Sequence, residues 1–158
     1  MSTQQPLQAP DFTLDHVLGH SVTLSQYRGM NAAVLFANRD TAPQIKQAIP
    51  TIRRTFGEDR VAIITILDMR TAPRPARVMV RGKLKKGYEE QMADVATLGL
   101  GGGIHMLVDW DGKVVDSYGV VIGDQAVAAA IDAHGHLLGW GAGQQLGDQI
   151  VAIFSAIH

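Results

Sequence analysis

Apolar residues form two uninterrupted runs near the middle of the chain, and a segment with regularly spaced apolar positions separates them. The runs are AAVLFA at 32–37 and RVAIITIL at 60–67. Such runs are typical of strands that are buried on both faces of a parallel sheet. Between them, apolar side chains recur at intervals of three and four, which predicts a helix with one apolar face. These side chains are Ile45, Ala48, Ile49, Ile52 and Phe56. Strand, helix and strand in this order predict a βαβ unit.

The segments on either side of this unit continue the alternation. DFTLDHVLGHSVTL at 11–24 predicts an N-terminal β-hairpin, and a four-residue repeat of large side chains predicts a helix from Pro73 to about Met92. HMLVD at 105–109 predicts a strand, and AVAAAID with HLLGW predicts a hairpin whose turn contains Gly135. A last apolar stripe predicts a C-terminal helix. Its members are Leu146, Ile150, Ile153, Phe154 and Ile157.

This order of elements predicts an α/β fold with a central mixed sheet and helices on both faces. We expect the polar residues 1–10 to be a flexible N-terminus and residues 11–158 to form a single domain, since no linker divides them. The chain is 46% hydrophobic and 18% charged, and its net charge is −1. This is the composition of a globular protein without a general excess of basic charge.

The sequence contains no cysteine. This excludes disulfides, thiolate catalysis, iron–sulfur clusters and thiolate zinc sites. The N-terminus has neither the basic nor the apolar region of a signal peptide, and no apolar run approaches the ~18 residues of a membrane-spanning helix. The sequence therefore predicts a soluble, cytoplasmic protein without a membrane span.

Three separated motifs resemble the thioredoxin-like (redoxin) superfamily, and peroxiredoxins in particular. APDFTLDHVLGHSVTLSQYRGMNAAVLFA at 9–37 is similar to the opening hairpin and first core strand of this group. LVDWDGKVVDSYGV at 107–120 resembles its D-x-x-G…Y-G-V segment, and AVAAAIDAHGHLLG at 126–139 resembles its T-F-x-I-D-x-x-G hairpin. The resemblance implies a thioredoxin-like three-layer sandwich with an N-terminal β-hairpin. It also suggests a homodimer, because redoxins often pair through sheet edges or active-site loops.

The same resemblance locates a redox site whose chemistry this chain cannot perform. In peroxiredoxins the loop after the first core strand carries the reactive cysteine near a helix N-terminus. A peroxiredoxin alignment places Gln44 on that cysteine, and a thioredoxin alignment places Thr41 on the first cysteine. A second site element, a cis-proline or an arginine in the superfamily, corresponds here to Ala126. The resemblance assigns no catalytic residue, but it marks a vestigial active site and candidate ligand-binding region. Its members are Asn38, Arg39, Asp40, Thr41, Gln44, Gln125 and Ala126.

Without the resemblance, residues 41–44 predict the start of a helix. Thr41 suits the N-cap, Gln44 completes a capping box three residues later, and Pro43 is compatible with the first turn. The alternative is an anion site at this helix N-terminus, with Arg39 beside it. We favour the capping interpretation because it requires no ligand.

Residues 70–86 carry seven basic side chains and no acidic one. Arg77, Arg81 and Lys85 recur at helical spacing and form a candidate anion-binding face for phosphate, nucleic acid or an anionic membrane surface. The alternative is a solvated helix face that acidic residues further along the helix balance. We favour this alternative, and we do not expect nucleic acid as a partner, because no aromatic residues interleave with the basic ones.

The histidines lie mainly near turns. His16 and His20 belong to the first hairpin, and His134 and His136 flank the turn of the last one. We interpret them as surface residues, since a third ligand and a helical metal motif are missing, and we interpret His105 as a satisfied residue at a strand edge. The sequence therefore predicts no metal and no cofactor.

These observations favour a cysteine-free redoxin-fold protein that lacks thiol peroxidase and disulfide reductase activity and acts as a binding or interaction module. The expected partner is a protein or a small anionic ligand. Two alternatives stay open. One is an antioxidant oxidoreductase or another enzyme that uses non-thiol chemistry in the redoxin cleft, and the other is an anion- or surface-binding protein that acts through residues 70–86.

Overall fold

Seven strands form one mixed sheet in the order β2-β1-β5-β4-β3-β6-β7 in this computed structural model, which describes residues 7–157. The strands are β1 Thr13–His16, β2 Ser21–Thr23, β3 Asn31–Ala37, β4 Val61–Asp68, β5 Ile104–Asp109, β6 Val127–Ile131 and β7 Leu137–Ala142. Of the terminus predicted to be flexible, residues 1–6 lie outside the described residues. The rest of it runs beside the last hairpin, where the Ala9 amide donates to the Gly135 carbonyl at 2.9 Å.

The centre of the sheet is the parallel pair β3 and β4, in which Asn31 pairs with Val61 and Ala37 with Leu67. Every residue from 32 to 37 and from 61 to 67 is buried, as predicted for strands covered on both faces. Burying such apolar surface stabilises the fold by about 25 cal/mol per Å². Since β3 and β4 run in the same direction, the loops that leave their carboxyl ends are neighbours.

Four helices cover the two faces of the sheet. They are α1 Ala42–Thr55, α2 Arg77–Thr97, α3 Lys113–Ser117 and α4 Leu146–Ser155. On one face, α1 and α4 pack together with α2 residues such as Val95. On the other face, Val115 of α3 packs together with Phe12 from the N-terminal segment. The predicted α/β fold, with a central mixed sheet and helices on both faces, is confirmed.

The predicted apolar stripes become buried helix faces. All five residues of the α1 stripe are buried, although the last of them, Phe56, follows the end of the helix. The helix predicted from Pro73 begins instead at Arg77, because Pro73 has extended backbone and residues Arg74–Ala76 form a short 3₁₀ turn. The final helix ends at Ser155, so Ile157 is exposed rather than part of the stripe.

Arg53 lies on the buried side of α1 and ties the helix to two loops. Its side chain is only 3% exposed. Nη1 donates to the carbonyls of Phe56 and Val61 at 3.1 and 2.8 Å, and Nη2 donates to the carbonyl of Gly103 at 3.2 Å. Because these bonds involve a charged donor, they are stronger than neutral ones, and their loss would leave buried carbonyl oxygens without a partner.

We expect Arg53→Met to lower the free energy of unfolding by ~2–4 kcal/mol, because buried carbonyls lose a charged donor. Urea denaturation followed by circular dichroism measures the change. Arg54→Met is the matched control: this neighbouring arginine is exposed, and its replacement should change stability by no more than about 0.5 kcal/mol. Equal losses in the two variants would contradict the role assigned to Arg53.

Candidate functional site

Asn38 organises the loop between β3 and α1. Its Oδ1 accepts the amide protons of Asp40 and Thr41 at 3.0 and 2.9 Å, and the Thr41 hydroxyl donates to the same oxygen at 3.0 Å. The Asn38 amide in turn donates to Thr41 Oγ1 at 2.9 Å. The loop is therefore an Asx turn, closed by side-chain bonds in both directions.

The predicted capping box at the start of α1 is wrong. Thr41 has a near-helical backbone, with φ −97° and ψ −5°, and its side chain caps no amide of the helix. An N-cap residue instead needs extended backbone, and its side-chain oxygen must accept an amide from the first turn. In this structure Thr41 Oγ1 instead accepts the Asn38 amide, and Thr41 is buried, with 1% of its surface exposed. The side chain of Asn38, rather than that of Thr41, therefore accepts the amide protons just before this helix.

Gln44 joins α1 to the loop that precedes β6. Its Oε1 accepts the Ala126 amide at 2.7 Å, and its Nε2 donates to the Asp124 carbonyl at 3.2 Å. Asn38 adds a third bond between the same two loops, from Nδ2 to the Gly123 carbonyl at 3.1 Å. The structure therefore brings the two halves of the candidate region together, although about eighty residues of chain separate them.

Most amides at the α1 N-terminus already have acceptors. The Ala42 amide donates to the Asn38 carbonyl at 3.1 Å, and the Gln44 amide donates to the Thr41 carbonyl at 3.0 Å. Pro43 has no amide proton to offer. An anion at this helix end would therefore find few free donors, and a ligand site near this loop depends on side chains instead.

A cavity of about 240 Å³ lies between the Asn38 loop, the end of β4 and the first turns of α2. We call it the β4–α2 cavity. Its lining residues are Asn38, Arg39, Ala42, Leu67, Met69, Val80, Lys83 and Leu84. Five of these side chains are apolar and two are cationic. A second, wider groove of about 590 Å³ shares Asn38, Arg39, Met69 and Val80 with it and continues along residues 68–73.

The sequence prediction reached this cavity only in part. Asn38 and Arg39 belonged to the candidate region, and Val80 and Leu84 belonged to the repeat that predicted α2. Lys83 belongs to the basic segment 70–86, which is one of the alternative anion-binding regions, whereas no sequence pattern assigns Leu67 or Met69 to a site. Asp40 lines only the wider groove, and the side chain of the exposed Gln125 lies beside Gly143.

Arg70 is the most strongly paired cation of the basic segment. Its Nη2 lies 2.9 Å from a carboxylate oxygen of Asp68 and 2.9 Å from one of Asp116. Hydrogen bonds to these two carboxylates raise the pKa of Arg70 above its ordinary value. Lys85, by contrast, is exposed and has no ion pair within the described part of the chain. The segment is therefore not a uniform basic surface.

The other two candidate anion-binding residues also have partners. Arg77 Nη2 lies 3.6 Å from Asp111 Oδ1, and Arg81 Nη2 lies 3.7 Å from Asp15 Oδ2. Both guanidinium groups also lie over the Trp110 ring, at 5.3 and 6.0 Å from its centroid. An anion that bound Arg77 or Arg81 would have to compete with these carboxylates.

His16 is buried, with 1% exposed, so its interpretation as a surface residue is wrong. It stacks on the exposed His20 at 4.6 Å between ring centroids and meets the edges of Tyr88 and His105 at 4.9 and 5.6 Å. Its Nδ1 accepts the Leu18 amide at 3.1 Å. Burial, with smaller contributions from His20 and His105, lowers the pKa of His16 from 6.5 to about 4. His16 is therefore a neutral core residue at pH 7.

His105 also differs from the prediction. It lies on β5, which is flanked by β1 and β4, so it does not occupy a sheet edge. Burial, followed by the charges of His20 and Arg53, lowers the pKa of His105. The prediction of surface residues holds for His134, which is exposed, whereas His136 is half-buried beside Asp132 at 3.3 Å. These histidines serve packing and turn structure.

The aspartate carboxylates of the two D-x-x-G turns accept backbone amide protons. Asp109 accepts two amides at the start of α3, at 3.0 and 2.9 Å, and Asp132 accepts those of His134 and His136, both at 2.9 Å.

Within residues 7–157, no three His, Cys, Asp or Glu side chains are grouped to hold a metal ion. In the same range, no helix combines the length and the apolar character needed to cross a bilayer.

Residues 7–137 match the family model described as the AhpC/TSA family. The chain belongs to the AhpC/TSA family. The matched region includes the N-terminal hairpin, the Asn38 loop, the β4–α2 cavity and β6. The predicted membership in the redoxin superfamily is confirmed. No curated protein matches the sequence.

Solved structures with the same fold include redox proteins of several kinds. Peroxidoxin BcpB from Mycobacterium tuberculosis superposes with a TM-score of 0.70 and 19% identity, over 99% of both chains. The thioredoxin domain of a thiol-disulfide oxidoreductase from Bacteroides vulgatus gives 0.66 and 18%, also over 99% of both chains. The pneumococcal exposed lipoprotein thioredoxin Etrx1 from Streptococcus pneumoniae gives 0.63 and 20%, over 90% of this chain and 98% of that one. These similarities confirm the predicted thioredoxin-like fold.

Two positions of this AhpC/TSA member complement each other. The resemblance placed a cysteine at position 44 and a proline or arginine at position 126. Ala126 is fully buried and has an amide proton that a proline would lack, and Gln44 accepts that proton. The glutamine side chain therefore satisfies a buried donor.

We expect Gln44→Ala to lower the free energy of unfolding by ~1–3 kcal/mol, because the buried Ala126 amide loses its acceptor. Gln44→Glu should lose less, since it retains that acceptor and loses only the donor to Asp124. The control is Gln47→Ala on the exposed side of α1, which should be nearly neutral. Chemical denaturation measures all three. A loss in Gln44→Ala no larger than in the control would contradict the bridging role.

We expect stability to fall as the pH is lowered from 6.5 to about 4, partly because of His16. Its pKa is lower in the folded chain than in the unfolded one, so the unfolded state binds more protons in this window. The contribution is at most about 1.4 kcal/mol per pH unit. His16→Asn should flatten the dependence of unfolding free energy on pH across this window, whereas His134→Asn should not. If the curves of unfolding free energy against pH were parallel for wild type and His16→Asn, the lowered pKa of His16 would be contradicted.

Proposed function

We propose that this AhpC/TSA member is a binding protein without thiol redox activity, and that it takes a small ligand in the β4–α2 cavity. The observation that carries the proposal is an apolar cavity directly beside the Asn38 loop, which the family resemblance marks as the redox loop, in a chain that has no cysteine to form a thiolate. The resemblance aligns either Gln44 or Thr41 with the reactive cysteine. The polar groups of that loop are engaged by one another, while the adjacent cavity remains open.

The composition of the lining supports binding rather than catalysis. Its apolar members are Ala42, Leu67, Met69, Val80 and Leu84. Its polar members are an amide, a guanidinium and an amine, so no carboxylate or imidazole faces the cavity as a general acid or base. Small-molecule sites are commonly apolar pockets with a few polar groups that orient the ligand. The alternative of an enzyme with non-thiol chemistry therefore has less support.

The surface-binding alternative through residues 70–86 also has less support. Three of its basic side chains, Arg70, Arg77 and Arg81, already face carboxylates. Exposed ion pairs contribute little to stability, yet they reduce the charge available to a phosphate or a membrane surface.

A neutral apolar probe tests the proposal. We expect 1-octanol, titrated into protein with labelled methyl groups, to give saturable NMR shifts at Met69 and Leu84. Leu84→Trp should abolish the shift at Met69 because the larger side chain fills the cavity, and Met69 remains as the reporter in this variant. Val78→Trp, on the exposed side of the same helix, should leave both shifts unchanged. Circular dichroism checks that each variant folds, and Val80→Phe provides a second cavity-filling variant.

The result that would overturn the proposal is an absence of saturable shifts, or shifts that persist when the cavity is filled. Peroxide- and disulfide-reduction assays on the same samples should show no turnover above buffer. Turnover in either assay would contradict the loss of redox activity.

A further inference from the structure

The β4–α2 cavity has a strongly asymmetric lining. Leu67, Met69 and Leu84 contribute to its apolar surface, and Arg39 and Lys83 contribute two positive charges. No acidic residue contributes to the lining. Within residues 7–157, neither Arg39 nor Lys83 makes an ion pair or a side-chain hydrogen bond. The cavity therefore combines an apolar volume with two cations that no protein carboxylate neutralises.

Three nearby arginines, unlike Arg39 and Lys83, are paired with aspartates. Arg70 is held by two aspartates, and Arg77 and Arg81 are each paired with one. The carboxylates around the N-terminal end of α2 thus face these three arginines. Arg39 and Lys83 face the cavity instead, where a ligand has access to them.

The volume limits the size of the ligand. A water molecule takes about 30 Å³ of liquid, and a methylene group is of similar size. A volume of about 240 Å³ is comparable with that of a chain of roughly eight such groups. A chain of this length fills the apolar part and leaves its end group near the cations.

We propose that the β4–α2 cavity binds a small amphipathic anion, with an alkyl chain of about eight carbon atoms inside and a carboxylate at Arg39 and Lys83. This inference rests on the proposed function and adds the chemical class of the ligand. A guanidinium group can bind a carboxylate through two parallel hydrogen bonds, and an ammonium group adds a second positive charge. The apolar lining supplies the affinity for the chain, and the cations select the head group.

The test compares three ligands with the same chain and different head groups. Octanoate, 1-octanol and octylammonium are titrated into the full-length protein at pH 7.5, and methyl shifts at Met69 and Leu84 report binding. We expect octanoate to bind about tenfold more tightly than 1-octanol, as one charge-assisted hydrogen bond would provide, and octylammonium to bind least well. Added salt should weaken the binding of octanoate and leave that of 1-octanol unchanged.

Substitution of the two cations assigns the head-group site. Arg39→Gln and Lys83→Gln should each reduce the affinity for octanoate several-fold, and the double variant should bind octanoate no better than 1-octanol. Lys86→Gln is the control, because this lysine lies on α2 outside the cavity lining and should not matter. Both substituted side chains are exposed, so the variants are expected to fold, and thermal unfolding verifies this.

The outcomes separate this inference from the proposed function. Equal affinities for octanoate and 1-octanol, with both lost in Leu84→Trp, would overturn the head-group inference and leave the binding function intact. Retained preference for octanoate in the double variant would overturn the assignment to Arg39 and Lys83. If none of the three ligands binds, the proposed function itself falls.

Discussion

The parallel pairing of β3 and β4 fixes the geometry on which the rest of this structure depends. The register runs from Asn31 opposite Val61 to Ala37 opposite Leu67, so the two strands end side by side. The Asn38 loop and the 68–73 segment must therefore leave the sheet next to each other. α1 begins directly after the first of these loops, and α2 begins soon after the second. The β4–α2 cavity is the space that these connections enclose.

The hydrogen bond between Gln44 and Ala126 couples two positions that lie about eighty residues apart in the chain. A residue with an amide proton at position 126 places a buried donor in the cleft, and a buried donor without an acceptor is destabilising. Gln44 supplies the acceptor and, with its amide group, also binds the Asp124 carbonyl. A cysteine at position 44 would have neither the reach nor the two functions. The residues at positions 44 and 126 are thus coupled through one hydrogen bond.

The sequence predicted those features that local patterns determine. Two apolar runs gave the central strands, and the three- and four-residue spacing in α1 gave its buried face, because burial on both sides or on one side imposes these patterns. The predicted capping box is absent because the Thr41 hydroxyl hydrogen-bonds to Asn38 and the Gln44 side chain hydrogen-bonds to a loop about eighty residues away. The interpretation of His16 as a surface residue was wrong because the rings that enclose it, Tyr88 and His105, come from other segments of the chain. Short-range patterns carry no information about such partners.

The bonds that replace the redox site also order the adjacent cavity. Asn38 is held by the Asx turn and by the Gly123 carbonyl, so the backbone that carries Arg39 is fixed before any ligand arrives. Lys83 projects from a helix of 21 residues, whose backbone is equally well defined. A ligand entering the β4–α2 cavity would order mainly the two long side chains, and a preorganised backbone reduces the entropic cost of binding. The Asn38 and Gln44 hydrogen bonds thus order the backbone beside the proposed binding site.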